Sequence, residues 1–239
     1  MRHAIALLVF SFITLGIYSQ DNRSNHKNEI GFVVTDLIDG AIQFRYERLV
    51  SKHFSVNLGI GYKGEEGIVN LSGLDTEKIK TSNITYSGIK VTPDIRYYLN
   101  NVQQTGMNGF YMGAYVKYSG FKSDLSGQYI NDTGITYDLE FDSKINVTSI
   151  GFMVGYKLPI TKRFALDFLI AGPGSGFYNF TIENKKDLPD EFYDDLNEAL
   201  EEYSLFDLLD GDFRFSQIKR KSDLKLFSFR YGITATYSF

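Results

Sequence analysis

From Leu224 to Phe239 the character of the side chain changes at almost every step. Phe227, Phe229, Tyr231, Ile233, Ala235, Tyr237 and Phe239 fall on one face, and Ser228, Arg230, Gly232, Thr234, Thr236 and Ser238 on the other. Successive side chains of a strand point to opposite sides, so a period of two predicts a β-strand with one apolar and one polar face. The same alternation marks Ala41–Leu49, Phe54–Lys63, Ile89–Leu99, Phe110–Tyr118, Thr148–Leu158 and Phe164–Ile170, with a weaker run at Ile30–Leu37. Together these segments predict eight strands.

The connections sort by length. Ile38–Gly40, Val50–His53, Asn100–Gly109 and Pro159–Arg163 are short, whereas Gly64–Gly88, Ser119–Val147 and Ala171–Asp223 are long. Short turns at one end and long loops at the other predict an eight-stranded antiparallel up-and-down transmembrane β-barrel, with long extracellular loops and both termini on the periplasmic side. The strands are about the 9–11 residues needed to cross a bilayer with tilt.

The two faces then decide which way the barrel is turned. The polar face carries Arg45, Glu47, Asn57, Lys90, Asp94, Arg96, Lys117, Lys157, Asp167 and Arg230. A cation at the middle of the lipid face costs about 2–4 kcal/mol. An eight-stranded interior is just wide enough for side chains to fill. The charges are therefore expected inside, where Arg45, Glu47, Lys90, Asp94, Arg96, Lys117, Asp167 and Arg230 form a network that pairs across the lumen. Glycines on this face would relieve crowding. Tyr62, Tyr97, Phe110, Tyr118, Tyr156, Phe164, Phe227, Tyr237 and Phe239 suit interfacial girdles. Pro93 sits mid-strand and cannot donate to the ladder, so a bulge or local break is expected there.

Composition sharpens the address. The chain has 239 residues, enough for one sizeable core, and a net charge of −4 that gives no reason to expect a nucleic-acid partner. It holds no cysteine, which excludes disulfides, thiolate metal sites and a cysteine nucleophile. Met1-Arg2-His3 is a basic start, Ala4–Ile17 an apolar run, and Ser19 a small residue after it. That order predicts a secretory signal peptide over 1–19, too short to span as a helix. A polar arm over 20–28 and a barrel over 29–239 follow. No other stretch reads as a membrane helix, so the exported chain spans as a barrel or floats free.

Motifs with a chemical meaning are few. Gly59-Ile-Gly61-Tyr-Lys-Gly64 matches G-x-G-x-x-G, but a polar loop follows where a dinucleotide site needs a helix. Gly172-Pro-Gly-Ser-Gly176 lacks the Lys-Ser/Thr of a phosphate loop and reads as a strand breaking into a loop. His3, His26 and His53 show no metal-ligand spacing. Residues 188–210 predict an amphipathic helix. Pro189 opens it, Phe192, Leu196, Leu200 and Tyr203 form a stripe, and Gly211 ends it. Its other face holds Asp194, Asp195, Glu198, Glu201 and Glu202; it reads as a solvated face whose stripe packs on the barrel rim, or as a docking or cation surface. Asp207, Asp210 and Asp212 lack calcium-loop spacing. Lys219, Arg220 and Lys221 stand just before the last strand, where they could contact lipid phosphates. No cofactor is implied.

Three stretches, VTPDIRYYLN (91–100), GFYMGAYVKY (109–118) and IGFMVGYKLPITKRFALDFLIAGPG (150–174), resemble a family of small outer-membrane β-barrels that carries a domain-of-unknown-function label. The resemblance implies an outer-membrane barrel and no settled activity. It further implies that the terminal pattern, Tyr231, Ile233, Tyr237 and Phe239, is an assembly signal read by the barrel-assembly machinery. The expected function is non-enzymatic: a closed barrel in the cell outer membrane anchoring surface loops for envelope integrity or for binding an extracellular protein or lipopolysaccharide. A small transport or pore protein, an outer-leaflet enzyme and, for architecture, a soluble ligand-binding barrel are the alternatives.

Overall fold

The computed structural model describes residues 26–65, 67, 72–202, 215, 216 and 220–239, without the side chains of 201 and 202. The predicted signal segment, Tyr203, Asp207, Asp210, Gly211, Asp212 and Lys219 lie outside the described residues. The strands are β1 (Asn28–Val33), β2 (Ala41–Leu49), β3 (Phe54–Lys63), β4 (Ile79–Thr81), β5 (Ser87–Tyr98), β6 (Gly109–Ile130), β7 (Thr136–Pro159), β8 (Phe164–Asn184) and β9 (Lys221–Ser238). Two helices, α1 (Val102–Thr105) and α2 (Asp190–Glu202), accompany them. Every pairing is antiparallel, and β1 pairs with β9, so eight strands close into an up-and-down ring. The short β4 stays outside the ring and pairs with the far end of β6.

The chain is polar inside and apolar outside. Along β2, Phe44 is 62% exposed while its neighbour Arg45 is 7% exposed. Phe152 on β7 reaches 77% and Tyr231 on β9 72%, whereas Arg96 on β5 is fully buried. The exposed belt includes Ile42, Leu58, Ile60, Ile95, Met112, Ile150, Phe227 and Phe229. A dozen such side chains, half exposed, present on the order of 1,000 Å² of apolar surface, beyond the few hundred Å² a soluble monomer shows. At one edge of the belt, aromatics meet in cross-strand pairs: Phe54 with Tyr97 at 5.1 Å, Phe110 with Tyr156 at 4.7 Å, and Phe164 with Tyr237 at 5.0 Å. This is the girdle nearer the chain termini.

Four local features depart from, or refine, the alternation-based reading. The first strand ends at Val33, and a 3-10 turn over Thr35–Asp39 follows, closed by Gly40 at φ 70°. The β5–β6 ladder stays in register from Val91↔Tyr118 to Asp94↔Tyr115 but skips Thr92 and Pro93, so the break at Pro93 is a gap without a bulge. The bulge lies instead in β8, where the register shifts against β7 at Val154/Gly155 and against β9 between Leu169 and Gly172. Gly172-Pro-Gly-Ser-Gly176, expected as loop, is paired strand on both sides.

The largest correction concerns the long loops. Ser119–Val147 is mostly strand: β6 runs 22 residues and β7 24, paired without interruption from Gly109↔Lys157 to Ile130↔Thr136. Their tight turn is set by the Asn131 side-chain oxygen, which accepts from the Thr133 and Ile135 amides, and by Gly134 at φ 78°. β8 and β9 also continue beyond the belt. At a rise of about 3.3 Å per residue and the tilt of a barrel strand, the hairpin stands roughly 25 Å above the bilayer edge.

Candidate functional site

Two constructions are candidates for function: the charged lumen, and the head that the extended strands carry.

The inner half of the lumen, nearer the chain termini, is a paired network. Arg96 on β5 donates through Nε to Asp94 Oδ1 at 2.9 Å, and through Nη1 to Glu47 Oε2 at 3.1 Å and Asp167 Oδ2 at 2.8 Å. Lys157 on β7 donates to Glu29 Oε2 at 2.6 Å and Glu47 Oε2 at 2.7 Å. Arg45 pairs with Asp94. Hydroxyls take remaining acceptor positions: Ser55 Oγ and Tyr98 OH each reach Glu47 Oε1 at 2.6 Å, Tyr111 OH reaches Asp167 Oδ1 at 2.7 Å, and Ser238 Oγ reaches Glu29 Oε1 at 2.9 Å. Every strand of the ring contributes a charged group or a hydroxyl, from Glu29 on β1 to Ser238 on β9. An aromatic and aliphatic floor, Leu49, Tyr98, Val102, Met107, Tyr111 and Met153, lies against it. Charges are tolerated here because each finds oppositely charged or hydrogen-bonding partners.

Space for these long side chains comes from glycine. A Cβ at Gly155 would run into the Tyr111 ring, and one at Gly59 would meet the Gln43 amide. The G-x-G-x-x-G match thus falls on a lumen face, with Gly59 and Gly61 both inward in β3.

The outer half differs. Lys90 reaches Asp36 Oδ2 at 3.4 Å and Asp39 Oδ2 at 3.3 Å on the turn after β1. Arg230 stacks over the Tyr115 ring at 4.4 Å but has no carboxylate partner among the described residues, and its Nη1 is buried without an acceptor. Lys117 makes no ion pair or hydrogen bond among the described residues. Of the eight predicted network members, Arg45, Glu47, Asp94, Arg96 and Asp167 come together in one plug, Lys90 pairs at the rim, and Lys117 and Arg230 do not pair. The network expected across the lumen thus forms in its inner half, and among the described residues Lys117 and Arg230 stand outside it. Glu29, Tyr98 and Tyr111 belong to the plug and were not assigned to it from sequence. Glu29 falls at the expected arm boundary, and a phenol in a polar face carries no charge to mark it.

His53 has a structural place. Its Nδ1 donates to the Tyr98 carbonyl at 2.9 Å, and its ring stacks on Tyr97 at 5.4 Å in the β2–β3 turn. Among the described residues no group of three or more His, Cys, Asp or Glu side chains could hold a metal ion.

The head has its own core. Ile79 from the short β4 and Tyr129, Leu139 and Phe141 from the extended β6 and β7 pack on Leu188, Phe192, Leu196 and Ala199. The apolar stripe of α2 therefore seats on the tall hairpin, not on the barrel rim. Lys78 ties the assembly, reaching Asp132 at 2.7 Å and Asp195 at 2.8 Å, and these two hydrogen bonds hold its pKa above the usual lysine range. Tyr129 donates to Asp195 at 2.7 Å; burial, then that carboxylate, raises its pKa. Asp194 and Glu198 face solvent. Arg220 and Lys221 are exposed at the start of β9, Lys221 pairing with Thr181 well above Phe227; Lys225, 5.4 Å from the Phe177 ring, stands nearer the belt. Tyr231, Ile233, Tyr237 and Phe239 share the outer side of the last strand and its end.

A closed antiparallel ring of eight strands with ionic groups inside and an apolar belt outside defines a transmembrane β-barrel. Residues 7–187 match the family described as "Protein of unknown function (DUF3575)", and the chain belongs to that family. No curated protein matches the sequence. The fold is also similar to that in the crystal structure of a major outer membrane protein from Thermus thermophilus, at 15% identity and a TM-score of 0.42, over 89% of this chain and 97% of that one.

Proposed function

We propose that the chain is a non-enzymatic outer-membrane barrel, exported by the segment 1–19, with both termini periplasmic. Its lumen is closed, and its work is done by the head it holds above the outer leaflet. That head supports envelope integrity or binds an extracellular protein or lipopolysaccharide. Tyr231, Ile233, Tyr237 and Phe239 serve the barrel-assembly machinery, and Arg220, Lys221 and the neighbouring Lys219 serve anionic lipid. The observation that carries this reading is the pairing of a plugged inner lumen with strands that run on, still hydrogen-bonded, into a separately packed head. An open pore would leave the lumen unfilled, and a bare anchor would not need the head.

The test has two parts. Reconstituted in planar bilayers, the barrel is expected to show no steady conductance; a persistent open channel overturns the closed-lumen reading. The absence of native cysteine makes labelling clean. Asp194→Cys in the head should react with a membrane-impermeant maleimide on intact cells, and Thr161→Cys in the β7–β8 turn should not. The reverse pattern overturns the orientation.

A further inference from the structure

The outer half of the lumen encloses a cavity of about 140 Å³ lined by Arg45, Lys90, Lys117 and Arg230 against a single carboxylate, Asp36. Gln43, Thr92 and Thr234 add neutral polar groups to its wall. Asp94, which pairs with the lining Arg45, is also held by Arg96. Asp39 sits at the rim with Lys90 and Lys63. The cationic donors thus outnumber their acceptors. Two guanidinium N–H groups, Arg45 Nε and Arg230 Nη1, are buried with no partner, and the Lys117 ammonium has no ion pair among the described residues either. An unpaired cation inside a protein is costly, and donors left unsatisfied in a built polar cavity signal a missing acceptor. The inner plug leaves two side-chain groups in the same condition, Arg96 Nη2 and Asn57 Oδ1, but each of its cations has a carboxylate partner. Among the described residues the lumen cations without one, Lys117 and Arg230, both line the cavity.

We propose that this cavity binds a small oxyanion of the phosphate or sulfate class, taken up from the extracellular face. The ion accepts from Lys117 Nζ and from the free N–H groups of Arg230 and Arg45, with Lys90 at the entrance. Arginine forks and lysine ammoniums are the groups that recognise such ions, and their charge-assisted hydrogen bonds are the stronger kind. The volume holds one tetrahedral ion with a few waters and excludes a lipid. The inner plug blocks passage onward, so the ion is held and not conducted.

The full chain is folded into non-ionic, phosphate-free detergent and titrated with sodium phosphate at constant ionic strength, chloride balancing. Calorimetry should give saturable binding at one ion per barrel, and the urea midpoint should rise with occupancy. Lys117→Met and Arg230→Gln should each weaken binding at least tenfold. Lys117→Met should also unfold at higher urea than the parent when phosphate is absent, because it removes an unpaired cation from the lumen; a mere folding defect would move it the other way. Equal stabilisation by chloride, undiminished binding in both variants, or a response that requires phospholipid in place of free phosphate overturns the proposal.

Discussion

Arg96→Met is the sharpest probe of the plug. Methionine roughly keeps the length and apolar stem of arginine but removes the guanidinium that three carboxylates share: Asp94, Glu47 and Asp167, at 2.8–3.1 Å. Glu47 keeps Lys157, Ser55 and Tyr98, and Asp94 keeps Arg45. Among the described residues Asp167 is left with only the Tyr111 hydroxyl as a hydrogen-bond partner. Removing one partner of a buried ion pair costs about 3–5 kcal/mol, chiefly because the remaining charge is stranded. Here one carboxylate is stranded and two are weakened, so the expected loss is at least about 3 kcal/mol out of the roughly 5–15 kcal/mol that a domain of ordinary stability has. Urea unfolding in bicelles, followed by the gel shift between folded and heated barrel, measures it. Adding Asp167→Asn should recover part of the loss by removing the stranded charge, and Arg96→Lys should fall between, since one ammonium cannot fork to three acceptors. A parent-like midpoint for Arg96→Met, or no recovery in the double variant, would refute the reasoning.

Three further outcomes follow from other parts of the molecule. Phe192→Ala empties the centre of the head core, where the ring meets Tyr129 at 5.2 Å and Phe141 at 5.7 Å; a cost of about 3–5 kcal/mol should appear as faster proteolysis above the membrane while the heat-induced gel shift of the barrel stays unchanged. Phe152→Arg, on the belt, should destabilise the barrel by about 2–4 kcal/mol in lipid and hinder insertion, whereas an outward arginine on a soluble barrel would be near neutral; equal yields in lipid would remove the case for a membrane-facing belt. Tyr86, at the mouth, has its pKa pushed up to about 12, first by burial and then by the Asp39 carboxylate it donates to at 3.2 Å. Folding therefore favours the neutral phenol, and that contribution is intact below pH 10.0 and lost as pH rises through about 12. Ultraviolet titration of tyrosinate should lose one late-titrating group in Tyr86→Phe.

The alternation of faces was legible wherever lipid lies on one side and the lumen on the other, because there the two faces demand opposite chemistry. It faded where that contrast ends. In β6 beyond Tyr118 both sides of the hairpin lie above the membrane, and Ser119, Lys122, Ser123, Asp124, Ser126 and Gln128 leave no apolar stripe of period two. The strand continues because its backbone pairs with β7, a feature that no single residue announces. In β8 the obstacle is geometric. Leu166 and Phe168 point away from the lumen, the bulge near Ile170 inserts a residue, and from Gly172 onward it is the even-numbered positions that face inward. A slip of one residue exchanges the faces, so an alternation followed in one phase stops there although the strand does not.

The same physics explains why the plug was readable and the cavity above it was not. Charges on an inward face announce that the lumen is filled, and Arg45, Asp94, Arg96 and Asp167 duly pair across it. Whether a given cation finds an anion depends on height along the strands, which register sets and composition does not. Lys117 faces β7 at Ser149, and Arg230 faces β8 at Gly172; neither neighbour carries charge. Two registers thus place unpaired cations at the same level of a narrow tube, where Tyr115 offers only its ring to Arg230. Gly172 is held small by packing, since a Cβ there would come within 3.0 Å of the Arg230 Cβ, so the strand beside Arg230 has little room for a carboxylate, and Ser149 beside Lys117 offers a hydroxyl in place of a charge.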